Sequence, residues 1–192
     1  MNRRRLLLSA AGAGLAVSGL SATTGLAALT ATDDELAYAS FGQATEFLLA
    51  DFYAKTAAAK LVSGGALQNV KRGGLNAGEH ATALAKLLTD AGQTAAVAED
   101  FEFAWPADTF KSTKAAGTAG AAIAQPLLGV YLSAAAAISI PSYRTLYASM
   151  AANVAQQAGF LSQLSGGRIV GVSFPAAVDV ETASDAIEAY LG

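Results

Sequence analysis

The sequence predicts an all-α fold: a four-helix bundle with a crossover loop and a short C-terminal helix. Apolar residues recur three and four positions apart along four long segments, as they do on the inward face of a bundle helix. Alanine, the strongest helix former, dominates these segments. Few stretches alternate apolar and polar residues as half-buried strands do, and three of the four prolines lie between the segments.

The first two helices are predicted over residues 33–62 and 67–91. The first begins at "TDDEL", which combines an N-cap threonine with acidic residues in the first turn. The glycine pair Gly64-Gly65 is expected to end this helix, and Gly73-Gly74 to interrupt the second.

The third and fourth helices are predicted over residues 113–140 and 143–164. Pro126 lies inside the third and is expected to kink it. The preceding crossover, "EDFEFAWPADTF", contains Trp105 and is interpreted as an aromatic cover for one end of the bundle, with a ligand-contacting lid as the alternative. After the fourth helix, "SGGRIVG" is read as a helix end and turn rather than a phosphate loop.

The tail "FPAAVDVETASDAIEAYL" is predicted to contain a short helix with an apolar side formed by Ala183, Ile187 and Leu191. Periodicity also predicts which side chains of the four long helices point into the core. These are Phe41, Thr45, Leu48, Phe52, Ala77, His80, Leu84, Leu87, Leu88, Ile123, Leu127, Leu128, Tyr131, Ile138, Tyr147, Met150, Val154, Gln157, Leu161 and Leu164.

Residues 1–31 are predicted to be an export signal, which leaves residues 32–192 as one domain. "RRRLLL" resembles the twin-arginine consensus through Arg3, Arg4, Leu6 and Leu7, and an uncharged stretch rich in small residues follows. We therefore expect the twin-arginine translocase as a partner during export, and a final location in the periplasm, the cell envelope or outside the cell. The alternative is an uncleaved membrane anchor.

Charge and cysteine content exclude several classes of function. Residues 1–31 hold three of the 12 basic residues and none of the 15 acidic ones, so the remaining domain is more acidic than the net charge of −3 for the whole chain. Such a domain has no basic stripe for phosphates, so nucleic acid is not an expected partner. Since there is no cysteine, disulfides, thiolate metal sites and cysteine nucleophiles are excluded.

Several stretches of the chain resemble one family. In "TEFLLADFYAK", Glu46 precedes Tyr53 by seven residues; "FEFAWPADTF" is followed by an alanine-rich helix ending "VYLSAAA"; and "ASMAANVAQQAGFLSQLSGG" forms the fourth helix. In this order the stretches are similar to the ferritin-like superfamily, and specifically to its exported branch related to desiccation-related proteins. The resemblance covers nearly all of residues 32–192 and implies a bundle that holds two metal ions between its helices.

The resemblance places only part of the usual ligand set in this chain. Di-iron bundles use a glutamate from each of two helices and a Glu-x-x-His motif from each of the other two. Glu46 and His80 match, whereas Glu79 is next to the histidine and points about 100° away from it around the helix, which makes it a weaker candidate. The other ligand positions carry Ala77, Ala124, Val154 and Gln157. We interpret this as a degenerate site that has lost its two-metal centre.

His80, the only histidine, is then expected to form a hydrogen bond with Glu46 in the bundle interior. Gln157 and Tyr53 are expected to add hydrogen bonds in the same layer. Because such a pair is charge-assisted, the pKa of Glu46 is expected to be lowered.

The function predicted from these features is a non-enzymatic binding, structural or stress-protective role outside the cytoplasm. No catalytic residue and no cofactor are predicted, and the partner is expected to be a protein or a small-molecule ligand, with self-association as a homo-oligomer left open. One alternative is an oxidoreductase with a single iron or manganese ion on Glu46, His80 and Glu79. Another is a carrier of apolar small molecules, with a cavity where Ala77, Ala124 and Val154 replace carboxylates.

Overall fold

A computed structural model describes residues 31–192, so all but the last residue of the predicted twin-arginine signal, including Arg3, Arg4, Leu6 and Leu7, lies outside the described residues. Within that range the chain forms five α-helices and no β-strand, which confirms the all-α fold. The helices are α1 Asp33–Ala58, α2 Gly64–Asp90, α3 Thr113–Ala137, α4 Pro141–Leu164 and α5 Val180–Ile187. Single 3₁₀ turns occur at Ala98–Asp100 and Glu188–Tyr190.

The four long helices pack as two pairs. Short connections join α1 to α2 and α3 to α4, and each pair packs closely along its length as an antiparallel hairpin. The crossover, residues 91–112, links the pairs, and α1 also packs against α3. Among the described helices, α3 is long and apolar enough to suit a membrane span, but more than half of its most apolar stretch is buried against the bundle.

Hydrogen bonds of the Glu35 side chain link the start of α1 to the turn between α3 and α4. Its Oε2 accepts from Thr32 N at 2.7 Å, while Thr32 Oγ1 accepts from Glu35 N, which makes the predicted N-cap a full capping box. Its Oε1 accepts from Ser139 N at 2.6 Å and from Ser139 Oγ at 2.9 Å. Burial alone would raise the pKa of Glu35, but these hydrogen bonds together outweigh it and lower the pKa below its usual value.

The predicted helix ends differ from the observed ones at both glycine pairs. α1 stops at Ala58 rather than at residue 62, and Gly64 begins α2 rather than ending α1. α2 also runs without interruption through Gly73 and Gly74. A Cβ atom on Gly73 would lie 2.5 Å from the Tyr53 ring, so glycine here is a packing notch for an aromatic side chain and not a helix break.

The end of α3 and the start of α4 also differ from the predicted positions. α3 ends at Ala137 instead of residue 140, and α4 begins with Pro141 at its first position instead of residue 143. Proline suits that position because its missing N–H would have no partner there. Pro126 lies inside α3, as predicted.

Most of the predicted inward side chains are buried in one continuous core. Leu164 is only half-buried, and Leu191 lies beyond the end of α5, where it forms an isolated bridge with Phe103. Ala183 and Ile187 on α5 are fully buried, as predicted. The C-terminal helix therefore packs onto the bundle, mainly against α3.

Trp105 covers the bundle, in agreement with the favoured interpretation of the crossover. Its ring centroid lies 5.8 Å from that of Phe52, 5.2 Å from Phe110 and 5.4 Å from Tyr190. Trp105 Nε1 donates to Asp51 Oδ2 at 2.7 Å. The indole is thus packed and hydrogen-bonded on α1, an arrangement that fixes the crossover in place.

We predict that Glu35→Gln lowers the free energy of unfolding at neutral pH by about 1–2 kcal/mol, because an amide cannot accept all the hydrogen bonds of the carboxylate. Since the folded pKa of Glu35 is lowered, its contribution is present above the unfolded pKa and is lost as pH falls through the folded pKa. Urea titrations over a pH series should show the difference between the two proteins shrinking in acid. A difference that does not change with pH would contradict this assignment.

Gly73→Ala should destabilise the fold by about 1–3 kcal/mol, because the added methyl group would overlap the Tyr53 ring. Gly78→Ala is the matched control: it lies in the same helix, and a Cβ there has no neighbour within 4 Å. The control should be neutral or more stable by up to about 1 kcal/mol. Chemical unfolding of both variants measures this, and equal effects would show that Gly73 is not a packing notch.

Candidate functional site

Glu46 lies on α1 at the centre of the bundle with no exposed surface. Its Oε1 is 2.8 Å from His80 Nδ1 on α2, and the same oxygen accepts a hydrogen bond from the Tyr131 hydroxyl on α3 at 2.8 Å. The predicted contact between Glu46 and His80 is therefore confirmed. Side chains from three helices thus meet at one carboxylate oxygen. We call Glu46, His80 and Tyr131 together the polar core.

The pKa of Glu46 is raised, so the expected lowering is wrong. Removing the carboxylate from water favours its neutral form, and the interactions with His80 and the hydrogen bond from Tyr131 offset this only in part. Burial and the neighbouring Glu46 also raise the pKa of the Tyr131 hydroxyl well above its usual value. Tyr131 therefore stays protonated and acts as a hydrogen-bond donor to the carboxylate.

A second hydrogen-bonded chain brings in the fourth helix. Tyr53 OH donates to Gln157 Oε1 at 2.9 Å, and Gln157 Nε2 donates to Asn153 Oδ1 at 2.6 Å. Asn76 Nδ2 on α2 donates to the same Asn153 oxygen at 3.1 Å. Tyr53 and Gln157 were expected to join the layer of Glu46 and His80, but their hydrogen bonds pair them with each other instead.

Sequence reasoning missed three members of these networks: Tyr131, Asn153 and Asn76. Helical spacing assigns Tyr131 only to an apolar face, although a buried tyrosine hydroxyl needs a hydrogen-bond partner and so signals one nearby. Asn153 and Asn76 carried a weaker signal, namely amide side chains in the interior of long helices. Asn153 and Asn76 lie on different helices, so local sequence could not pair them, whereas Gln157 is four residues from Asn153 on α4 and within reach of helical spacing.

The donor set does not fit the two-metal centre of this type of bundle. Ala77, Ala124 and Val154, the residues at three positions where the family resemblance places ligands, are fully buried and offer no donor atom. Glu79 is exposed on the surface of α2. Among residues 31–192 there is no group of three His, Cys, Asp or Glu side chains that could hold a metal ion. Glu46 and His80 supply two donors, fewer than the three protein ligands of a typical catalytic zinc site.

The site is closed and has spare hydrogen-bonding capacity. His80 keeps 15% of its side chain exposed, whereas Glu46 and Tyr131 have none. Within the described part of the chain, Glu46 Oε2 and the Tyr147 hydroxyl are buried without a hydrogen-bond partner. Of the three groups in the polar core, only the imidazole reaches solvent.

A cavity lies away from the polar core, between α3, α4 and the segment that leads to α5. Its volume is about 590 Å³, and apolar side chains form most of its wall. The carrier alternative placed a cavity at Ala77, Ala124 and Val154, but none of these three lines this cavity.

Tyr131→Phe is expected to lower the free energy of unfolding by about 1–3 kcal/mol, because it removes one of the two partners of a buried carboxylate. Tyr147→Phe is the control: its ring is equally buried and lies beside that of Tyr131, but its hydroxyl has no partner among the described residues. The control should be neutral or stabilising. Thermal or urea unfolding measures both, and an equal loss in the two variants would rule out the bond to Glu46 as the cause.

Comparisons with known proteins agree with the geometry of the bundle. A family model described as a ferritin-like domain matches residues 34–167, which is more than half of the chain. No curated protein and no solved structure matches the chain. The match begins in α1 and ends just beyond α4, so it spans all four long helices. The chain therefore belongs to the ferritin-like domain family.

Proposed function

We propose that this protein is an exported ferritin-like domain of the desiccation-related type, in which a hydrogen-bonded polar core replaces the two-metal centre. We propose further that its role is non-enzymatic, namely binding, structural or stress-protective. It would act in the cell envelope or outside the cell. The observation that carries the proposal is the single oxygen of Glu46 shared by His80 and Tyr131.

The electrostatics of the interior support a site without metal. Two buried cations need several carboxylates to balance their charge inside an apolar bundle. Here Glu46 is the one carboxylate of the polar core, and burial shifts its pKa towards the neutral form. The nitrogen of His80 that faces Glu46, Nδ1, is already engaged with Glu46 Oε1. The polar core thus works as a link between three helices.

The way in which the chain is stabilised supports a structural or protective role. The protein has no cysteine, so no disulfide strengthens it in an oxidising compartment. The two hydrogen-bonded networks connect all four long helices instead, through Glu46, Tyr131 and Asn153 among others. The signal-like residues 1–31 support export, and the intact mass of exported protein would show whether they are removed.

A carrier of apolar small molecules is the second candidate, because the 590 Å³ cavity falls within the size range of ligand pockets and its wall is mainly apolar. An oxidoreductase with one iron or manganese ion on Glu46, His80 and Glu79 is less well supported, since Glu79 is exposed on α2. Both candidates predict a retained species, a small molecule or a metal ion.

Native mass spectrometry and elemental analysis of protein purified without chelator test these candidates together. We expect no stoichiometric metal, and we expect His80→Ala to lower the free energy of unfolding by about 1–3 kcal/mol, because the buried carboxyl of Glu46 then loses a partner. Glu79→Ala, an exposed change one residue away, should stay within about 0.5 kcal/mol of the parent. Stoichiometric iron or manganese that disappears in Glu46→Gln would refute the proposal, and a retained organic molecule would favour the carrier.

A further inference from the structure

The segment between α4 and α5 exposes an unusual group of apolar side chains. Residues 168–174, "RIVGVSF", which we call the apolar loop, contain four of them. Ile169 is 57% exposed, Val170 77%, Val172 74% and Phe174 93%. Single apolar residues on a surface are ordinary, but a cluster within one short loop marks an interaction site.

The apolar loop is held in place at both sides. At its start, the carbonyl of Ile169 packs against Gly159 of α4, where a Cβ atom would collide with it. Beyond its end, Val178 N donates to Gly129 O at 3.0 Å, and Ser133 Oγ donates to Val178 O at 2.8 Å. The backbone is thus attached to α3 and α4 on either side of the exposed stretch. The side chains between these attachments point to solvent because the backbone holds them there.

The apolar loop also contains one charged residue, which favours one kind of partner over others. Arg168 is the only charged residue between the end of α4 and Asp179, in a domain that is acidic as a whole. Arg168 forms no ion pair or hydrogen bond with residues 31–192. A guanidinium next to projecting aliphatic and aromatic side chains complements a lipid surface, which offers phosphate groups above hydrocarbon.

We propose that the apolar loop docks this protein onto a phospholipid membrane: Val170, Val172 and Phe174 enter the interface and Arg168 contacts the phosphate groups. Binding of this kind scales with the apolar area inserted and with attraction to anionic lipid. A second copy of the chain is less well matched, because a stable dimer buries about 800 Å² on each partner and the apolar loop is seven residues long. A small-molecule ligand is also less well matched. Bound in the neighbouring cavity, it would cover Val172, which lines the cavity, but would leave Phe174, which does not, in water.

The test uses the full chain with a single environment-sensitive fluorophore. Because the chain has no cysteine, Phe174→Cys provides one labelling site, and Leu75→Cys on the surface of α2, 60% exposed, provides the matched control. With vesicles of equal parts phosphatidylcholine and phosphatidylglycerol, the label at position 174 should brighten several-fold and shift to the blue. The label at position 75 should not change, even if residues 1–31 also attach the chain to the vesicle.

A second change separates insertion of the loop from other effects. Adding Val170→Asp to the chain labelled at position 174 should abolish the response, and since Val170 is exposed, the helix content should be unchanged by circular dichroism. No response at position 174, or equal responses at positions 174 and 75, overturns the proposal. A response that follows protein concentration without vesicles assigns the loop to self-association and overturns it as well.

The contribution of Arg168 is tested with the unlabelled chain in vesicle sedimentation. Arg168→Gln should weaken binding to the anionic vesicles by roughly five-fold, the size expected for one basic residue near such a surface. Arg144→Gln, an exposed arginine in the first turn of α4, is the control and should have no effect. Equal losses in the two variants would refute the contact between Arg168 and lipid phosphate.

Discussion

The buried carboxyl group of Glu46 is the constraint on which the interior of this bundle depends. It is fully buried, so its hydrogen-bond partners must come from the protein, and an oxygen without one, such as Oε2, carries a cost in free energy. Both partners of its Oε1 come from other helices, His80 from α2 and Tyr131 from α3. A helix that slid along its neighbour would leave a charged or polar group without a partner, so the hydrogen bonds specify how the helices are aligned.

Small residues make this polar interior possible. A Cβ atom on Gly42 would lie 3.0 Å from the Tyr131 ring, and one on Gly73 would lie 2.5 Å from the Tyr53 ring. The ring of Tyr131 therefore packs against a glycine of α1, and the ring of Tyr53 packs against a glycine of α2. Glycine weakens a helix, but at these positions it allows a bulky ring to bring its hydroxyl to a buried acceptor. The hydrogen bonds of the two networks therefore depend on the packing of the tyrosine rings against these glycines.

Membership of the ferritin-like family describes the scaffold, whereas the donor atoms decide the chemistry. At three positions where the family resemblance places metal ligands, this chain has buried alanine or valine side chains, which offer no donor atom. What remains is a set of hydrogen bonds suited to stability and alignment. The features that can meet another molecule lie outside the polar core, at the cavity near α5 and at the apolar loop.

The amino-acid sequence by itself determined the helical class, the four long segments, the inward faces and, through the family resemblance, the pairing of Glu46 with His80. These follow from apolar spacing and from motifs within single segments, which are local properties. The tertiary structure alone decided that Gly73 lies inside a helix, that Tyr131 rather than Gln157 completes the polar core, and that the pKa of Glu46 is raised. Tyr131 is 85 residues away from Glu46 in the chain, and both hydrogen bonding and desolvation depend on side chains that only folding brings together.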